Sequence, residues 1–162
     1  MINIKLLCVG KIKEDYLKLA ILEYSKRISK YANFEIIEVE DEKFPNNYSE
    51  LEKQKVIDLE ADKILAKLSK IKTYTLISLD LNGKEYSSTS FANRLSQIAT
   101  YNSSTIVFII GGSLGISNKI LSISDELISF SKFTFPHQLI RLFFTEQIFR
   151  SFKILNNETY HH

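Results

Sequence analysis

Short apolar runs alternate along this chain with longer stretches in which apolar residues recur every three or four positions. Ile4–Val9 reads as a strand, and Tyr16, Leu17, Ala20, Ile21, Tyr24 and Ile28 then share one helical face. Phe34–Val39 is the next strand. After the turn-forming Phe44-Pro45-Asn46-Asn47, Ser49 with Glu52 three residues on is a capping-box signature, and the helix it opens carries a stripe of Ile57, Ala61, Ile64, Leu65 and Leu68. Tyr74–Leu79 reads as a third strand closed by an Asn82-Gly83 turn. Ser88 or Thr89 then caps a helix with Phe91, Leu95 and Ile98 on its apolar face. Thr105–Ile110 is β-branched and almost wholly apolar, which suits a central strand covered on both sides. A glycine loop from Gly111 to Gly115, a short helix from about Ser117, a strand near Leu127–Phe130 and a long helix from His137 to Leu155 complete the pattern.

Strand and helix thus alternate about five times, which predicts an α/β fold with a mainly parallel sheet and helices on both faces. At 162 residues, without repeats, low-complexity tracts or linkers, residues 1–162 form one domain, with Asp41–Tyr48 as its most mobile loop. A composition of 44% hydrophobic and 25% charged residues excludes a disordered or fibrous chain. The single cysteine, Cys8, lies in the first apolar run and reads as a buried thiol. No signal segment opens the chain and no apolar run approaches a membrane span, so a cytoplasmic protein is expected.

Net charge is only +2, but it is unevenly spread. Residues 1–33 carry seven Lys/Arg against three acids, residues 34–62 three against ten, and residues 130–162 four against two. Two basic ends around an acidic middle are compatible with an RNA-facing surface, and equally with solvated helix faces.

All three histidines, His137, His161 and His162, fall in the last 33 residues. Histidine is the side chain that titrates near neutral pH, so the chain's proton-transfer capacity is concentrated there. The Gly111–Gly115 loop follows the best strand, at the carboxyl end of the sheet where open α/β folds bind ligands. It lacks the spacing of a dinucleotide or phosphate loop. In Phe130-Ser-Lys-Phe-Thr-Phe-Pro-His137 three aromatic residues meet a proline that fixes the chain before the last helix, so core packing and a ligand wall compete as explanations. Arg141 lies one turn beyond His137 on the same face, where the two could address one ligand. Glu146 and Arg150 repeat that spacing as an ion pair. The final helix is apolar over so wide an arc that it needs its own sheet and a second subunit as partners.

The stretches Val107-Phe-Ile-Ile-Gly-Gly-Ser-Leu-Gly115, Leu127-Ile-Ser-Phe-Ser-Lys-Phe-Thr-Phe-Pro-His-Gln-Leu-Ile-Arg141, Glu146-Gln-Ile-Phe-Arg150 and Tyr160-His161 closely resemble the RlmH family, as do Leu7-Cys-Val-Gly-Lys11 and Ile77-Ser-Leu-Asp80. These are SPOUT-class methyltransferases acting on N3 of a pseudouridine in 23S ribosomal RNA. The resemblance covers essentially the whole chain. It implies S-adenosylmethionine as methyl donor, a homodimer formed through the C-terminal helix region, a C-terminal trefoil knot, 23S ribosomal RNA within the ribosome as partner, and neither metal nor membrane. Carried over by motif, the donor site is Leu79, Gly111 and the run Phe130, Ser131, Lys132, Phe133, Thr134 and Phe135. Two positions depart from the family: His162 stands where a basic residue often follows Tyr-His, and Phe149 stands where tyrosine is common.

On this resemblance the catalytic candidates are His137, Arg141, Tyr160 and His161. Either histidine is the proton acceptor, Arg141 an anion stabiliser or phosphate anchor, and Tyr160 a positioning group. Lys11, Lys13 and Arg27 are candidate phosphate contacts. A SPOUT methyltransferase acting on transfer RNA, or a non-catalytic nucleotide-binding α/β dimer, are the alternatives.

Overall fold

The computed structural model describes residues 1–162. Its elements run β1 (Ile2–Val9), α1 (Asp15–Ile28), β2 (Ala32–Val39), α2 (Glu50–Leu68), β3 (Thr75–Glu85), α3 (Ser88–Tyr101), β4 (Thr105–Ile110), α4 (Asn118–Leu121), β5 (Glu126–Ser129) and α5 (His137–Leu155). The five strands form one sheet in the order β2-β1-β4-β3-β5, with every neighbouring pair parallel. The strand that composition marked as central is central. Ile106, Val107, Phe108 and Ile109 in β4 are wholly buried between β1 and β3.

Alternation along the strands sorts the core into two layers. Ile4, Leu6 and Cys8 of β1 and Ile106, Phe108 and Ile110 of β4 face α1, α3 and α5, where Ile28, Phe91, Leu95, Phe144 and Ile148 cover them. Leu7, Val9, Val107 and Ile109 point the other way, onto Ala61, Ile64 and Leu68 of α2 and Ile120 of α4. Helices therefore cover both faces. The α2 cap forms as its signature requires, with the Ser49 hydroxyl accepting the Glu52 N–H at 3.1 Å.

Three boundaries differ from expectation. The hydroxyl capping α3 belongs to Ser87, which accepts the Ser90 N–H, so the helix starts one residue after this serine. β5 begins and ends one residue earlier than its apolar run. Asn82-Gly83 does not end β3: the strand pairs Leu79 with Ile128, makes an excursion, then pairs Lys84 with the same Ile128. Asp80 folds the excursion by accepting the Asn82 N–H at 3.0 Å. Gly83 is pressed against β5 so closely that an added Cβ would stand 2.6 Å from the Ile128 and Leu127 backbones. The dipeptide does its turn chemistry inside a continuing strand rather than at its end.

Because all five strands run the same way, their carboxyl ends lie along one edge of the sheet. The segments leaving β1, β4 and β5 at that edge bear most of the residues singled out above.

Candidate active site

At this edge a pocket of about 320 Å³ opens between the end of β3, the glycine loop and the segment joining β5 to α5. Leu79, Asp80 and Leu81 form one side, Gly111 to Ile116 the floor, and Ser129, Phe130, Ser131, Phe133, Thr134 and Phe135 the opposite wall. His137 and Ile140 of α5 close it. Of the donor-site residues expected from sequence, the structure brings together all but Lys132, whose exposed side chain lies outside the lining.

Each wall is built by local sequence. The glycine loop folds on itself, the Gly115 N–H donating to the Gly112 carbonyl at 3.1 Å. A Cβ on Gly111 would lie 2.6 Å from Ile116 Cγ1 and 2.9 Å from the Gly115 carbonyl oxygen, so only glycine lets the loop close this tightly. In the opposite wall the Ser129 hydroxyl donates to the Ser131 carbonyl, and the Ser131 hydroxyl accepts the Phe133 N–H at 3.1 Å. Phe130, Phe135 and Phe143 pack against one another at centroid distances of 5.8–6.4 Å, whereas Phe133 is 77% exposed at the rim. The aromatic run is thus partly core and partly ligand wall.

The charge of the pocket restricts its ligand. Its lining includes one carboxylate, Asp80, and no lysine or arginine. A nucleotide phosphate would find no cation, whereas a positively charged ligand would find a carboxylate and a wall of backbone dipoles and aromatic faces. These residues fit a sulfonium nucleoside better than a dinucleotide.

His137 is the first residue of α5, set there by Pro136, and its Nδ1 lies 3.5 Å from the Ser113 hydroxyl. Burial, then the nearby Arg141 charge, hold its pKa below the usual histidine value; Asp41 opposes them and Lys13 reinforces them. These influences favour the neutral imidazole, the form that can accept a proton.

Arg141 is not where helical spacing suggested. Its side chain is 2% exposed, donating from Nη1 to Glu38 Oε2 at 2.7 Å and from Nη2 to the Gly10 carbonyl at 2.9 Å. Glu38 also accepts the Ile12 N–H at 3.3 Å. The face that α5 shares between His137 and Arg141 turns inward over the sheet, so the guanidinium clasps the helix to the ends of β1 and β2. Buried and bonded in this way, the guanidinium presents no free surface at the pocket.

Tyr160 and His161 follow the other end of α5, and the tail folds back onto Glu146 and Arg150, about 14–20 Å along the helix axis from His137. Tyr160 donates to Glu146 Oε1 at 2.9 Å, and Arg150 binds the same oxygen from Nε at 3.0 Å and Nη2 at 2.7 Å. The expected Glu146–Arg150 pair forms, and it anchors the tail. Burial and hydrogen bonds to Tyr24 and Glu146 push the Tyr160 pKa up, so its hydroxyl stays protonated. His161 Nδ1 lies 3.3 Å from Arg150 Nη1 at the surface. Within one chain the tail and the pocket do not meet.

Sequence reasoning missed Ile116, Ser129 and Ile140 in the lining and Glu38 beneath it. Each has the composition of an ordinary strand, turn or helix residue, and only the crossing of the segments gives it a place.

The family model described as "Predicted SPOUT methyltransferase" matches residues 2–161. Proteins named ribosomal RNA large subunit methyltransferase H from Clostridium tetani and Latilactobacillus sakei are 48% and 50% identical over 159 residues, covering 98% of this chain and 99% of theirs. The chain belongs to this family. The same name is carried by a relative from Exiguobacterium sp., 49% identical over the same span. Among solved structures, one described as a probable methylase family protein from Haemophilus influenzae Rd KW20 superposes with a TM-score of 0.58 at 11% identity, over 98% of this chain and 70% of the other. At that identity the likeness concerns the fold, which is the SPOUT methyltransferase architecture of the family.

Proposed function

We propose that the pocket binds S-adenosylmethionine and that the protein transfers its methyl group to N3 of a pseudouridine in 23S ribosomal RNA. The observation that carries this reading is the pocket itself: closely folded glycines, an aromatic wall, one carboxylate and no cation. The names of the relatives supply the RNA class. Such a substrate places the protein in the cytoplasm.

When bound, the donor supplies an electrophilic methyl carbon on a sulfonium that leaves as a neutral thioether. What the protein must add is alignment and a place for the N3 proton. The backbone of residues 111–115 and 130–135 would hold the donor, and Asp80, the carboxylate in the lining, would supply a counter-charge to it. His137, at the pocket wall, would accept the proton that N3 gives up and so leave N3 free to receive the methyl group. A positioned base of this kind contributes roughly 10²–10⁴-fold.

The tail residues Tyr160 and His161 enter this scheme from a second copy. Leu19 and Leu22 on α1 and Phe143 on α5 are exposed, beside half-buried Leu139 and Leu142. That apolar surface supports a homodimer through the C-terminal helix region. The trefoil knot rests on the chain's membership of the family. Lys11, Lys13 and Lys132 are exposed and free of ion pairs, which favours them over Arg27, paired with Glu23, as contacts to RNA phosphates.

Labelled donor incubated with ribosomal particles and with transfer RNA from cells lacking the enzyme tests the reading. Label at N3 of one 23S pseudouridine is expected, and label on transfer RNA alone, or no binding of donor by folded protein, refutes it. Mixing a His137→Ala chain with one truncated before Tyr160 tests the shared site, because recovered activity requires wall and tail from different subunits.

A further inference from the structure

We propose that Glu60 is a positioning residue for the donor pocket: its buried carboxyl group is the seat of Gly112 in the pocket floor and ties that floor to the segment leaving β2. This rests on the reading of the pocket as the donor site. Gly112 belongs to the pocket lining, and the point where its Cβ would stand is 3.2 Å from both carboxyl oxygens of Glu60 and 3.1 Å from Val9 Cγ1. Glu60 and Val9 are 4% and 2% exposed, so neither is a surface chain that could step aside. The glycine rests on the carboxyl group with no room for a side chain between them. Because the Gly112 carbonyl accepts the Gly115 N–H at 3.1 Å, the seat of Gly112 also sets where the loop closes.

The same carboxyl group reaches a second segment. Its Oε2 accepts the Glu42 N–H at 3.0 Å. Nearly one turn further along α2, Lys63 donates to the Glu40 carbonyl at 3.0 Å and pairs with Glu42 at 2.8 Å. Residues 40–42 are thus held to α2, and Glu60 is the member of this set that also touches the glycine loop.

Burying an acid at this position is costly, which argues for a task. Glu60 is followed on α2 by Ala61 and Ile64, which cover the sheet, and its Oε1 has no hydrogen-bond partner. A carboxyl group stripped of water with one oxygen unpaired destabilises a fold, and departures of this kind are expected where a residue serves a site. Burial raises its pKa, with the Glu42 N–H opposing, which favours the uncharged form and makes glutamine a close mimic.

Glu60→Ala and Glu60→Gln separate this role from plain structure. Glutamine keeps the volume beneath Gly112 and an oxygen for the Glu42 N–H, whereas alanine removes both. In calorimetry of the full-length protein with S-adenosylmethionine, Glu60→Ala should bind roughly 3–10-fold more weakly, and Glu60→Gln within about twofold of wild type. Gly112→Ala drives a methyl group onto the same carboxyl group, so its effect on donor affinity should shrink at least about twofold in the Glu60→Ala background. Amide exchange followed by NMR without donor gives a second readout. Glu60→Ala should speed exchange at both Glu42 and Gly115 by roughly 2–10-fold relative to the amides of β4, and Glu60→Gln should restore both. Should the alanine variant not fold, Glu60→Asp, one methylene shorter, withdraws the carboxyl group from both contacts and takes its place. Unchanged donor affinity in Glu60→Ala, a glutamine variant as weak as alanine, losses at 60 and 112 that simply multiply, or faster exchange at Glu42 alone overturns the proposal. The exchange measurement needs no ligand, so wild-type protein that ignores the donor would count against the donor site and not against the seat.

Discussion

Replacing Arg141 with methionine separates its buried role from the ligand contact that its spacing suggested. Methionine keeps most of the apolar stem and removes two charge-assisted bonds, to Glu38 and to the Gly10 carbonyl. The abandoned carbonyl costs about 1–3 kcal/mol if left dry, and each charged bond contributes about 1.5–3 kcal/mol. Two effects reduce the total: the Nε that has no partner disappears, and Glu38, with 39% of its side chain exposed, regains water. A net loss of about 2–4 kcal/mol results, below or within the 3–5 kcal/mol range for a fully buried broken pair. In a chain of this size that lowers Tm by about 4–16 °C. Urea unfolding at pH 7 should show the midpoint falling at constant m. The His137 pKa should rise, because a positive neighbour is gone. The salt dependence of RNA binding should not change, whereas losing a phosphate anchor would lower its log–log slope by about one. A stability change under about 0.5 kcal/mol, or a reduced salt slope, would refute the buried clasp.

Gly111→Ala should weaken binding of S-adenosylmethionine by at least about tenfold in calorimetry, since the new methyl group meets loop backbone at 2.9 Å. Tyr160→Phe should cost about 0.5–1.5 kcal/mol of stability in urea titration, the value of its bond to Glu146. His137 has a depressed pKa, so the unfolded chain binds its proton first as pH falls; stability should drop below the ordinary histidine pKa, and His137→Gln should flatten that drop. Burial raises the Glu60 pKa, so the folded state holds that proton longer and stability declines as pH climbs past the ordinary carboxylate value. Glu60→Gln should remove this decline in a pH series of unfolding curves.

How far the sequence could be read depended on whether a feature is local. The Ser49 cap, the apolar β4 and the helical stripes each follow from residues within a few positions, and they appear as read except for Tyr16, which is exposed. Asn82-Gly83 was read correctly as turn chemistry and wrongly as a strand end, because the returning pairing with Ile128 depends on β5, more than forty residues away. The surroundings of Arg141 are illegible in the sequence for the same reason. Helical spacing fixes its face relative to His137, but which way that face turns is decided by α5 lying over β1 and β2, and by a Gly10 carbonyl that needs a donor. Lys132 sits inside the motif that lines the pocket and is still outside the lining, its exposed side chain placed by a bend of the β5–α5 segment that the motif does not reveal.

The separation between the two groups of histidines has a structural cause. A parallel sheet collects its loops at one edge, so a pocket made from three of them must lie there. The last helix starts at that edge, with His137 in the wall, and must run back along the sheet to bury Phe144, Ile148, Phe149 and Phe152. Its far end is therefore carried away from the pocket in every chain with this connectivity. The tail is then fastened there by Glu146, Arg150 and Tyr160, so it cannot swing back without breaking a partly buried network. If Tyr160 and His161 act at the pocket at all, two-fold pairing of neighbouring α5 helices is the arrangement that brings one chain's tail to another chain's wall. In that arrangement catalysis depends on dimer concentration, and dilution should remove methyl transfer before it removes donor binding.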